Sequence, residues 1–163
     1  MTPFESQGRE LARALLSRGW RMSTAESCTG GLVAAACTAV PGSSDWFERG
    51  FVTYSNLAKV DMLGVPAALI DRHGAVSAEV ARAMALGALA HGPAELAVAV
   101  TGIAGPSGAT PGKPVGTVWL ALAVRGAGCD TRRLQLDGER RAVREQTVER
   151  ALQWCIERAG SVP

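Results

Sequence analysis

Lysine is nearly absent from these 163 residues: Lys59 and Lys113 stand against fifteen arginines. Histidine is as scarce, with His73 and His91 alone. Neither histidine is spaced with cysteine as a ligand set, so a protein-bound zinc site lacks its donors. Each sits at the end of a helical stretch, His73 beside Arg72, which gives a Ser–His–Asp triad poor support. The four cysteines, Cys28, Cys37, Cys129 and Cys155, form no C-x-x-C pair. The opening residues carry Glu5 and Glu10 and lack the basic start and apolar run of a secretory leader. Both features predict a reducing, cytoplasmic setting. No window reaches eighteen uninterrupted apolar residues, which excludes a spanning helix. A strong excess of either charge is missing too: seventeen basic and fifteen acidic residues leave a net +2. The late arginines Arg132, Arg133, Arg140, Arg141 and Arg144 read as a solvated helix face, so no nucleic-acid partner is expected.

What is present suits one globular domain over residues 1–163, with 47% hydrophobic content. Thr2-Pro3-Phe4-Glu5 reads as a capped helix start, and Gly19 ends that helix. Residues 20–25 form a short buried strand, and residues 32–40 a helix of small apolar residues. Residues 41–44 make a turn, residues 51–54 a second strand. Ser55-Asn56 caps a short helix over residues 57–63, and another covers residues 67–73, closed by Gly74. Ser77 caps a helix over residues 78–91. Residues 95–100, 115–124 and 131–136 are strands, and the last helix runs over about residues 139–159. Its core stripe is Val143, Thr147, Ala151 and Cys155. Helices alternate with strands early and three strands lie close together late. This pattern predicts a three-layer α/β/α domain with a mixed, mostly parallel sheet and a late antiparallel strand.

The reactive residues concentrate in Ser23–Leu32, S-T-A-E-S-C-T-G-G-L. A strand leading in and a helix leading out place Ser27 on the turn between them, where doubly wound sheets expose reactive groups. Thr29, Gly30 and Gly31 would then form the helix's first turn, with free N–H groups for an anion or oxyanion. An ordinary helix cap has the same residue types. A second glycine turn, Gly102-Ile103-Ala104-Gly105, follows the third strand. Both turns emerge at strand carboxyl ends, and with Arg140 and Arg144 they favour a phosphate-bearing ligand over two empty turns. Residues 107–114 nearly fit a P-loop, but Ser107 replaces its first glycine and Pro114 its magnesium-binding hydroxyl.

Ser27 and Cys28 are the candidate nucleophiles. A thiolate at a helix start would be stabilised, although buried cysteine is also an ordinary core residue. A serine activated by lysine needs no histidine, but its lysine must be largely neutral. Arginine cannot lose its proton to serve this way, so a lysine kept in an arginine-rich chain is suggestive. Lys59 and Lys113 are the choices, a plain surface lysine being the alternative. Tyr54 at a strand end precedes Lys59 in the following helix.

Six blocks carry a resemblance: T-A-E-S-C-T-G-G-L at residues 24–32, P-G-S-S at 41–44, G-F-V-T-Y-S-N-L-A-K at 50–59, G-A-V-S at 74–77, T-G-I-A-G-P at 101–106 and K-P-V-G-T-V at 113–118. In this order they resemble the CinA C-terminal domain family, whose free-standing members are nicotinamide-nucleotide amidohydrolases. The resemblance implies hydrolysis of the carboxamide of nicotinamide mononucleotide to nicotinate mononucleotide and ammonia, in pyridine-nucleotide recycling. It implies a homo-oligomer and no metal or organic cofactor. The family's serine, lysine and tyrosine fall on Ser27, Lys59 and Tyr54, with Ser43 or Ser44 as a further candidate. The expected substrate contacts are Thr29, Gly30, Gly31, Gly102, Ile103, Ala104, Gly105, Arg140 and Arg144. The competing class is a non-catalytic nucleotide-binding or regulatory module, which the same glycine turns would serve.

Overall fold

A computed structural model describes residues 4–161. The first helix, α1 (Glu5–Arg18), is stopped by Gly19, whose left-handed backbone lets its N–H reach back to the last carbonyls. The expected Thr2–Pro3 start lies outside the described residues. Strand β1 (Met22–Glu26) is buried along its whole length and feeds α2 (Leu32–Thr38). A 3-10 turn at Ser43–Asp45 leads into β2 (Phe47–Val52). Helices α3 (Asn56–Leu63), α4 (Ala67–His73) and α5 (Ala78–Ala90) follow. Ser55 and Ser77 accept from Ala58 N–H and Val80 N–H, capping α3 and α5. Strands β3 (Leu96–Gly102), β4 (Thr117–Val124) and β5 (Gly128–Gln135) precede the long α6 (Arg140–Gly160).

The strand order is β2-β1-β3-β4-β5. β1 pairs parallel with β2 and β3, while β4 runs antiparallel to both of its neighbours. Side-chain alternation splits the sheet's two faces. Met22, Val98, Val100, Leu120 and Leu122 pack toward α1, α2 and α6, with Leu11, Leu15, Val33, Val143 and Leu152. Ala25, Ala97, Ala99, Ala121 and Ala123 face the other way, against Val80, Ala81, Met84, Ala85 and Ala88 of α5. Alanine on both sides lets α5 lie close on the sheet. The three-layer mixed sheet expected from the sequence is present.

Two local expectations change. β2 begins at Phe47 rather than Phe51, because an edge strand tolerates Glu48 and Arg49 where a buried strand would not. Gly30 and Gly31 do not form the first turn of α2. Both have positive φ, 57° and 106°, and make a left-handed bend that ends where the helix begins.

Candidate active site

β1, β2 and β3 run parallel, so their carboxyl ends open at one edge of the sheet. Ser27 follows β1 there. Its N–H donates to Val100 O at 2.9 Å, and its carbonyl accepts from Gly30 N–H at 3.0 Å. The nucleophile candidate is thus pinned to β3 on one side and into a tight turn on the other. Lys59 enters from α3, with only 1% of its surface exposed. Its Nζ lies 3.0 Å from Ser27 Oγ and 2.9 Å from Thr53 O. Burial pushes its pKa below the ordinary lysine value of 10.5. No carboxylate hydrogen-bonds to it among the described residues. Lys59 Nζ donates to Thr53 O and to Ser27 Oγ; an amine that lost its charge there would turn a lone pair to the Ser27 hydroxyl. That is the arrangement of a serine nucleophile with a lysine base.

Cys28 is the poorer nucleophile. It is buried, and desolvation pushes its thiol up to about 12, more than the nearby Arg144 offsets. Cys37, Cys129 and Cys155 are buried free thiols as well.

A cavity of about 230 Å³ opens in front of the pair. Of the expected contacts, Ser27, Tyr54, Gly102, Ile103, Ala104, Gly105 and Arg140 line it; Cys28, Ser107 and Gly108 join them. Gly102 has no room for a side chain: a Cβ would lie 2.7 Å from Val118 Cγ2 and 3.2 Å from Cys28 Sγ. Arg140 reaches across the cavity, donating to Gly105 O and to Tyr54 Oη, each at 2.9 Å. Tyr54 is 59% exposed and belongs to the rim. Its hydroxyl is engaged by Arg140, and Ser27 and Lys59 touch directly, so a tyrosine relay between them has no place in this geometry.

Thr29, Gly30, Gly31 and Arg144 do not line this cavity. Arg144 donates to the carbonyls of Cys28 and Thr29 and so braces the turn from behind. The start of α2 is occupied by a carboxylate of the chain itself. Glu26, 1% exposed, accepts from Thr29 Oγ1 at 2.6 Å, Val33 N–H at 2.8 Å and Ala34 N–H at 3.1 Å. The expected anion site at the first turn of α2 is therefore filled. With Gly30 N–H also taken by Ser27 O, the N–H groups of Cys28, Thr29 and Gly31 are the ones in this turn without an acceptor among the described residues.

Glu26 was not singled out by sequence reasoning. Its signal was a carboxylate at a strand end followed by a glycine bend, which lies outside the usual helix-cap spacing. Ser43 and Ser44 fall at the opposite end of the sheet: their turn precedes β2, where Met22 N–H meets Trp46 O. Lys113 is structural, donating to His73 O at the end of α4.

The family model for the CinA C-terminal domain matches residues 5–159. The chain belongs to the CinA C-terminal domain family. A nicotinamide-nucleotide amidohydrolase PncC of Pseudomonas putida is 51% identical over 157 residues, covering 96% of this chain and 98% of that protein. A competence-damage inducible protein of Symbiobacterium thermophilum is 56% identical over 156 residues. This CinA-family chain spans 37% of that longer relative's length. The crystal structure of the competence damage-inducible protein A of Klebsiella pneumoniae superposes with a TM-score of 0.94 at 40% identity, covering 99% of this chain and all of that one.

Proposed function

We propose that the chain hydrolyses the carboxamide of nicotinamide mononucleotide, releasing ammonia and nicotinate mononucleotide within pyridine-nucleotide recycling. The observation that carries this reading is the buried Lys59 amine 3.0 Å from Ser27 Oγ. The relatives named nicotinamide-nucleotide amidohydrolase supply the substrate class.

Neutral Lys59 takes the Ser27 proton as Oγ attacks the carboxamide carbon. The oxyanion is received by the N–H groups of Cys28 and Thr29, the first of them following the nucleophile directly. The Lys59 ammonium returns the proton to the departing nitrogen, and ammonia leaves an ester on Ser27. Water, deprotonated by Lys59, attacks that ester and frees the carboxylate. The substrate's pyridinium charge lies beside the site and favours neutral Lys59 further. Arg140 faces the nucleotide's phosphate as counter-charge. The chemistry needs no metal or organic cofactor. In this reading the protein works in the cytoplasm as a homo-oligomer. The unpaired edge of β2 and the exposed Val52, Leu57 and Met62 support self-association.

The test is incubation with nicotinamide mononucleotide, with ammonia and nicotinate mononucleotide measured together. Ser27→Ala is expected to abolish turnover, and Lys59→Ala to lower kcat by about 10²–10⁴-fold, with both variants folded. A parent protein that binds the nucleotide without turnover is a binding module instead. Full activity in Ser27→Ala removes serine as nucleophile.

A further inference from the structure

A second cavity adjoins the reaction cavity and is larger, about 570 Å³ against 230 Å³. Ala104 and Arg140 line both, and the chain from Ala104 to Pro106 passes from one into the other. The remaining walls are Val115, Gly138 and Glu139. No serine, lysine, cysteine or histidine is among them, so this space binds and does not react.

We infer that this cavity is a second nucleoside subsite, through which a nicotinamide dinucleotide binds with its carboxamide at Ser27 and its adenosine half behind Arg140. The inference rests on the proposed function, which puts a nicotinamide ring in the first cavity. Three features identify the occupant. Ala104, Pro106 and Val115 offer an apolar wall to a planar base. Glu139 heads α6 without a side-chain cap bond, and its carboxylate makes no hydrogen bond or ion pair among the described residues. A free carboxylate beside a base pocket suits ribose hydroxyls, as in dinucleotide-binding folds. Arg140 stands between the cavities, where a pyrophosphate joining the two halves would lie. Its Nη atoms hold Gly105 O and Tyr54 Oη, and its Nε donates to no acceptor among the described residues. A mononucleotide leaves the second cavity empty; a dinucleotide spans both.

The experiment uses the full chain with nicotinamide adenine dinucleotide as the probe. Calorimetry measures its binding, and its competition against nicotinamide mononucleotide hydrolysis gives an inhibition constant. Glu139→Ala and Val115→Phe change residues that line the second cavity and not the first. The dinucleotide is expected to compete, and each variant to raise its inhibition constant about fivefold or more, one lost hydrogen bond or a filled pocket. KM and kcat for the mononucleotide stay within about twofold of the parent's. Slow turnover of the dinucleotide itself also supports the subsite if Glu139→Ala weakens it selectively. Absence of competition overturns the inference, as does equal competition in parent and both variants. If the parent fails to hydrolyse the mononucleotide, the proposed function fails; calorimetric binding weakened by Glu139→Ala still reports on the second cavity.

Discussion

At the scale of single residues, the proposed chemistry turns on Lys59 keeping its amine uncharged. Burial lowers its pKa from the ordinary value of 10.5, and the two oxygens within reach, Thr53 O and Ser27 Oγ, carry no formal charge to reverse this. A general base must be deprotonated, so kcat/KM is expected to fall as pH drops through the Lys59 pKa. The acid limb should therefore lie below 10.5 in a pH–rate profile. Lys59→Arg keeps a basic side chain but cannot lose its proton, and should be inactive at every pH measured. Stability carries the same signature. Between the lowered folded pKa and the unfolded value, the unfolded chain binds a proton that the folded chain lacks. Stability from this group thus rises with pH across that window. Lys59→Met should flatten that rise in denaturation midpoints measured along the pH axis. An acid limb unchanged in position between the parent and a weakly active Lys59 variant would assign the base elsewhere.

At the scale of elements, the strand–turn–helix unit 22–38 is held by Glu26. Its carboxylate ties the end of β1 to Thr29 and to the first N–H groups of α2, while Arg144 of α6 braces the same turn through two carbonyls. Removing the carboxylate strands three donors in the interior. Glu26→Ala is expected to cost at least about 2 kcal/mol in denaturant unfolding, with Glu26→Gln milder because its amide oxygen still accepts. An unchanged midpoint for Glu26→Ala would show that solvent reaches these donors. The unit also shows what a sequence reveals and what it hides. Ser55, Ser77, Gly19 and Gly74 each act locally, so the helix ends they set were legible. β2 was read four residues late because Glu48 and Arg49 suit only an edge strand, and edge position is a property of the whole sheet. Glu26 was hidden for the same reason: its partners lie up to eight residues on, across a bend that no helical or strand period describes.

At the scale of the molecule, the proposed reactive pair is a contact between two layers. Ser27 comes from the sheet and Lys59 from the helices on one face of it, 32 positions apart in sequence. Both residues were visible in the sequence; their meeting was not, because it depends on how closely α3 settles. That depth is set by α5. At Gly87 a Cβ would sit 2.1 Å from Leu63 O at the end of α3, so any side chain there must push α3 outward. Gly8 of α1 offers a matched control on the opposite face, where a Cβ would meet Val40 Cγ2 at 2.5 Å. Both Gly87→Ala and Gly8→Ala overpack a helix contact and should lower stability by about 1–3 kcal/mol. They should part company in turnover. Gly87→Ala displaces the helix that carries Lys59, and a misplacement near 1 Å at a reacting pair costs about 10²-fold. Gly8→Ala leaves that helix alone and should keep kcat within a few-fold. Measuring kcat well below both unfolding transitions separates the two effects. Equal losses of kcat in the two variants would mean that global stability, not the seating of α3 on α5, sets the spacing of Ser27 and Lys59.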